Sequence, residues 1–290
     1  MAGLVGGGVG GAGRNGTVGR GQAVHLFNAV DGYTSGSLTL EQAAASGREG
    51  SQGLDASSRL DKNVDNRSLT LVTYALGNGN GPTGGGALAQ SVARNQTGDA
   101  SARARAEAGR VLQHQFGARD ATASALAESF GEGRVEVVAE SIGGESYARL
   151  GGAGLLGEVR GISHRGGDVE VTGISRAGAG AGAADGSARA ADLVNAVSGS
   201  TSGALSLRQV AEGGRADEAE LPVGGRASSA LDVDGSDASA SVPLVAESIG
   251  GNGGASYDQA MMAAGGDAAA AANSVTRTGE APATAIARGG

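Results

Sequence analysis

A chain of 290 residues with 56 glycines, no tryptophan, three phenylalanines and four tyrosines lacks the bulk for an ordinary globular core of that size. Four prolines and no sustained glycine triplet exclude a collagen triple helix. A net charge of −8 with a pI of about 5.0 argues against a nucleic-acid footprint, and the absence of cysteine removes disulfides and thiolate metal sites.

Apolar residues make up 40% of the chain and arrive in short alternating bursts, which favours an ordered fold over a glycine-rich disordered one. No apolar run is long enough to span a bilayer as a helix, and the opening MAGLVGGGVGG has neither the charged nor the apolar region of a signal peptide.

In chain order, residues 1–22 read as a glycine-rich lead-in. Gly6, Gly8 and Gly11 satisfy GxGxxG by letter, but the residues around them read as turns, so no dinucleotide site is expected. A first long repeat is assigned to residues 23–190 and a second, incomplete one to 191–290. The segment Asn28 to Gln42 (NAVDGYTSGSLTLEQ) returns as Asn195 to Gln209 (NAVSGSTSGALSLRQ), 167 positions later with ten identities in fifteen. Ser57-Ser58 and Leu60-Asp61 return as Ser228-Ser229 and Leu231-Asp232, and VAESIGG occurs from Val138 and again from Val245.

Inside these repeats lies a shorter unit of apolar–polar alternation closed by glycine. Leu38 and Leu40, Val135 and Val137, Val169 and Val171, and Leu205 and Leu207 each fall on one face at period two, the mark of a half-buried strand. Alanine takes the same alternating place from Ala100 to Ala108, Ala121 to Ala127 and Ala283 to Ala287, and Ala268 to Ala272 is read as strand rather than helix. Small inward residues would let two sheets approach closely. Glycine pairs between the strands supply tight corners.

The fold expected is therefore all-β, an elongated β-solenoid resembling a parallel β-helix. Rungs of about 20 to 30 residues stacked at about 4.8 Å would give on the order of ten to fourteen of them. Arg103, Arg105, Glu136, Glu140 and Glu170 interrupt the strands and must point outward.

Few residues suggest chemistry. Asp232, Asp234 and Asp237 in LDVDGSD have the carboxylate density of a calcium site, but the glycine spacing of a calcium loop is missing and a solvated corner is the better reading. His25, His114 and His164 stand without a second ligand at helical spacing. Thr39, Thr70 and Thr172 are isolated within their strands, which does not suit an ice-binding ladder. No catalytic residue, cofactor site or metal site beyond that weak calcium candidate is expected.

NAVSGSTSGALSLRQVAEGG, SIGGNGGASY and AAGGDAAAAA together resemble the large repetitive Gly/Ala-rich surface proteins of bacteria, of the filamentous-haemagglutinin-like adhesin kind. The resemblance runs from about Ala23 to Gly290. It implies an extracellular or cell-surface β-solenoid within a very long polypeptide. The function expected is structural and not enzymatic: a self-associating segment of a fibre, sheath or surface layer, or alternatively the spacer stalk of an adhesin facing a glycan or host surface. Neither nucleic acid nor a membrane span is expected among its partners.

Overall fold

The computed structural model describes residues 2–6, 21–49, 52–79, 83–111, 117–146, 149–180, 188–216, 223–235, 241–254, 264–276 and 279–290. They form twenty strands: β1 Ala2–Gly6, β2 Val24–Phe27, β3 Ser37–Ala45, β4 Arg48–Glu49, β5 Gln52–Gly53, β6 Ala56–Val64, β7 Ser68–Leu76, β8 Ala87–Asn95, β9 Asp99–Glu107 and β10 Ala121–Ser129. There follow β11 Val135–Ile142, β12 Gly154–Ser163, β13 Val169–Arg176, β14 Ala191–Val194, β15 Ser198–Ser200, β16 Leu205–Glu212, β17 Ala227–Gly235, β18 Leu244–Ile249, β19 Ala268–Thr276 and β20 Ala283–Arg288.

The chain is a β-solenoid. One nine-stranded sheet runs β1-β3-β7-β9-β11-β13-β16-β18-β20. The facing wall is a six-stranded sheet, β15-β12-β10-β8-β6-β2, continued by a three-stranded one, β14-β17-β19. All their ladders are parallel, and only the short β4–β5 pair is antiparallel. Each coil lays one strand on each wall. The strand β1 extends the long sheet by pairing with β3, so a strand does lead into Gly6, while Gly8 and Gly11 lie outside the described residues.

Coils are longer and fewer than the sequence led us to expect. Ser37 pairs with Ser68, a step of 31 residues, whereas Leu244 pairs with Ala283, a step of 39. The reason is that each coil carries two full strands and also an excursion beyond a glycine corner. Isolated parallel bridges stack these excursions, Val111 to Ser146 to Gly180 to Ala216.

The core between the two walls is built largely from leucine, valine and alanine. On the long sheet the inward residues of several strands become smaller toward the strand end: Leu69 and Leu71 lead to Thr73 and Ala75, and Val135 and Val137 to Ala139 and Ser141, all buried, while β9 is alanine throughout, from Ala100 to Ala106. On the facing wall β6 and β17 run the other way, from Ala56 and Ser58 to Leu60 and from Ala227 and Ser229 to Leu231, while β8 and β10 keep small inward residues from Ala87 to Ala93 and from Ala121 to Ser129. Small side chains thus meet at the end of the cross-section nearest the glycine corners, and larger ones stand at the other end in the coils that have them. Overpacking such a site costs roughly 1–3 kcal/mol. Ala106→Leu, at a fully buried position in the small-residue end, is expected to lower stability by that amount in urea titrations. Arg105→Ala, one residue away and outward, should change stability by less than about 1 kcal/mol.

Beyond the small-residue end, the chain leaving the long sheet and the chain returning to the facing wall zip together through backbone hydrogen bonds. Gly152 N–H donates to Gly144 carbonyl at 2.8 Å and Gly178 N–H to Gly152 carbonyl at 2.9 Å. The zigzag resumes with Gly225 to Gly214 at 2.8 Å, Gly251 to Gly225 at 2.9 Å and Gly266 to Gly251 at 2.8 Å. These pairs form a neck along the solenoid axis, and the stacked excursions lie beyond it.

Candidate functional site

The 167-residue repeat occupies five steps of the long sheet, β3 to β16, and its matching residues do matching work. Asn28 and Asn195 hold left-handed backbone angles of φ 46° and 47°, and each ends a strand of four residues, β2 or β14. Asparagine tolerates that region better than other residues with a side chain. Its Oδ1 then accepts from the next coil, Asp61 N–H at 2.7 Å in one copy and Asp232 N–H at 2.8 Å in the other.

The kink leaves polar backbone facing the core, and a fully buried glutamine meets it. Gln42 Oε1 accepts from Ala29 N–H at 2.7 Å, and its Nε2 lies 3.1 Å from Ser58 Oγ and from the Arg59 carbonyl. Gln209 repeats this with Ala196 N–H at 3.1 Å, Ser229 Oγ at 3.1 Å and the Ala230 carbonyl at 2.8 Å. These are structural devices, and they explain why Asn, Gln and the second serine recur.

The outer face of the long sheet carries a dense set of charged side chains. Arg103, Arg105, Glu136, Glu140 and Glu170 all point outward there, as the alternation requires. The register arranges the outward residues of β9 to β20 into columns parallel to the axis. One column reads Arg103, Val138, Thr172, Arg208, Val245, Thr284; the next reads Arg105, Glu140, Ile174, Val210, Glu247, Ile286. The column beside the neck reads Glu107, Ile142, Arg176, Glu212, Ile249, Arg288. In these three columns a pattern of three coils is therefore laid down twice, with one departure: Val210 stands where Arg105 stands in the first copy; Glu136 and Glu170, in the fourth outward column, have no counterparts in β18 and β20.

Ion pairs follow this pattern in part, with Arg208 taking on Glu247 the place that Arg105 holds on Glu140. Glu140 sits between Arg105, at 3.1 Å, and Arg176, whose Nε also reaches Glu212 at 2.9 Å. Glu247, with a side chain 9% exposed, sits between Arg208, at 2.8 Å, and Arg288. Single surface pairs contribute about 0–1 kcal/mol, but a carboxylate shielded by two arginines leaves both unneutralised when removed. Glu247→Gln is expected to lower stability by about 1–2 kcal/mol at low salt, and by clearly less in 1 M sodium chloride, when unfolding is followed by circular dichroism.

The last column also forms one wall of an axial groove beside the neck. Two depressions of about 500 and 380 Å³ share Ile142, Gly143 and Glu145, so they run into one another. The groove floor is glycine backbone, and its far wall carries the Arg110–Glu145 pair at 3.2 Å.

Other sequence candidates do not converge. Asp232 is exposed and its Oδ1 accepts from Asn273 Nδ2 at 3.0 Å, while the Asp234 side chain and Asp237 lie outside the described residues. His25 Nδ1 is 2.8 Å from Ser57 Oγ; His164 is 2.7 Å from Glu128 and stacks on Phe130 at 4.8 Å; His114 lies outside the described residues. Lys62, the one lysine, is paired with Asp31, and with the Gly32 amide it holds that carboxyl below the usual carboxylate range. Among the described residues no group of three His, Asp or Glu side chains gathers as a metal site, and no helix is long and apolar enough to cross a membrane.

No family model matches the chain, and no curated protein and no solved structure is detectably similar to it. Function must therefore be argued from this surface itself. The sequence reading missed the three-coil pattern, although VAESIGG at Val138 and Val245 was its trace. Columns join residues more than thirty positions apart, and only the register says which.

Proposed function

We propose that the chain is a structural repeat protein and not an enzyme: a β-solenoid segment of an extracellular bacterial fibre, sheath or surface layer. The observation that carries this reading is the outer face just described. Over β9 to β20 its three-coil pattern occurs twice, at a rise of about 4.8 Å per coil, on a parallel ladder that holds each side chain in register. A surface of that kind offers the same contacts at successive positions, which is what assembly of identical parts requires. The resemblance to the haemagglutinin-like surface proteins supports the same compartment.

Negative-stain electron microscopy of the purified chain, without ligand and in 0.1 M salt, is the test. Ordered filaments or sheets are expected. Monodisperse rods that instead bind a glycan array or a cell surface would replace this reading with that of an adhesin stalk.

A further inference from the structure

The column beside the neck, Glu107, Ile142, Arg176, Glu212, Ile249, Arg288, has a property its neighbours lack. Read backwards it becomes Arg, Ile, Glu, Arg, Ile, Glu, so it is its own complement when reversed. We propose that two copies of this chain pair face to face and antiparallel through the outer surface of the long sheet, about a two-fold axis along the strands between β13 and β16. This deepens the building-block reading and rests on it.

In that arrangement Glu107 faces Arg288 of the second copy, Ile142 faces Ile249, and Arg176 faces Glu212. The charged members are accessible, with side chains between 39% and 58% exposed for Arg176, Glu212, Glu107 and Arg288. The next outward column but one joins in, with Val138 opposite Val245, and Thr172 and Arg208 opposite one another. Between them the Glu140 and Glu247 positions meet. Both lie low on the face, 17% and 9% exposed, beneath their arginines, so two bare carboxylates do not confront each other.

An isologous contact of this kind needs one patch only and closes as a dimer, the unit that then grows into a filament or sheet through its other surfaces. Six strands at about 4.8 Å by about 20–25 Å of strand length give about 600 Å² per copy, or about 1,200 Å² in all, the lower end of stable interfaces. Because its specific contacts are charge pairs, the dimer should weaken as salt rises.

The chain has no cysteine, which makes site-directed cross-linking clean. Val138→Cys and Val245→Cys are prepared separately and treated with a short bis-maleimide that spans the ~10 Å between packed sheets. The mixture is expected to give a covalent dimer at least tenfold faster than either variant alone, and to lose that advantage in 1 M salt. Equal rates for the single variants and the mixture overturn the antiparallel register. Filaments of the unmodified chain without any mixed cross-link also overturn it, yet leave the building-block reading intact. Unmodified chain that stays as single rods in 0.1 M salt overturns both.

Discussion

Gly152→Val is expected to open the neck and to cost at least about 3 kcal/mol. A Cβ at Gly152 would fall on the carbonyl oxygen of Arg119 and 2.6 Å from its carbonyl carbon. It would also stand 2.8 Å from the Gly144 nitrogen. All three atoms are backbone, so no rotamer change relieves the clash, and the coils must separate. Gly178 is in the same position, with its Cβ site on the Gly144 carbonyl. Overpacking normally costs about 1–3 kcal/mol when side chains can give way, and more when they cannot.

Since each coil contacts only its neighbours, the damage should be local in structure and propagate as lost interfaces. Limited proteolysis is then expected to cut near residues 144–152 in the variant while the distant coils stay protected. Gly117→Ala is the control: the nearest atom to its Cβ is the Leu150 carbonyl oxygen at 3.5 Å, an ordinary contact. A Gly152→Val protein that unfolds at the urea midpoint of the parent would refute the neck.

Removing either glutamine should cost about 2–4 kcal/mol, and the same at both sites. Gln42→Ala takes the acceptor from the Ala29 amide and leaves a hole in the core, while the Arg59 carbonyl keeps the Asn28 amide and the Ser58 hydroxyl keeps the Gln42 carbonyl; Gln209→Ala does the same to the Ala196 amide, with the Ala230 carbonyl still held by the Asn195 amide. Each buried polar group left unpaired costs roughly 1–3 kcal/mol. The sites lie five coils apart, about 24 Å along the axis, and share no partner. The double variant should therefore lose the sum of the two within about 0.5 kcal/mol. Costs differing by more than about 1 kcal/mol, read from urea titrations of the two single variants, would mean that the copies are not equivalent.

Much of this architecture was legible in the residues. Alternation at Leu38–Leu40, Val135–Val137 and the alanine runs marked the strands, because a strand's side chains change face at every residue whatever it packs against. Ala268–Thr276 is strand despite alanine's helical preference, since the parallel ladder with β17 supplies the backbone partners that a helix would otherwise provide. The outward place of Arg103, Arg105, Glu136, Glu140 and Glu170 followed from the same alternation.

Coil length was misjudged because glycine signals that the chain turns, not how far it travels before it rejoins the wall. Gly84-Gly85-Gly86 and Gly151-Gly152 look like corners, yet they are the returning side of a neck whose outgoing side is Asn78 or Gly143-Gly144.

What the sequence determined by itself is the repeat, the strand as its unit, the small inward residues, and the recurrence of Asn28, Gln42 and Ser58 as Asn195, Gln209 and Ser229. These are local or self-similar properties, carried by spacing along the chain. Tertiary structure alone decided that Asn28 is a left-handed kink with Gln42 buried against it, that glycines from two chain segments zip into a neck, and that Glu107, Ile142 and Arg176 form one column. Each of these joins groups from different parts of the chain through the hydrogen-bond register of the stacked coils, and a register exists only once the coils have stacked.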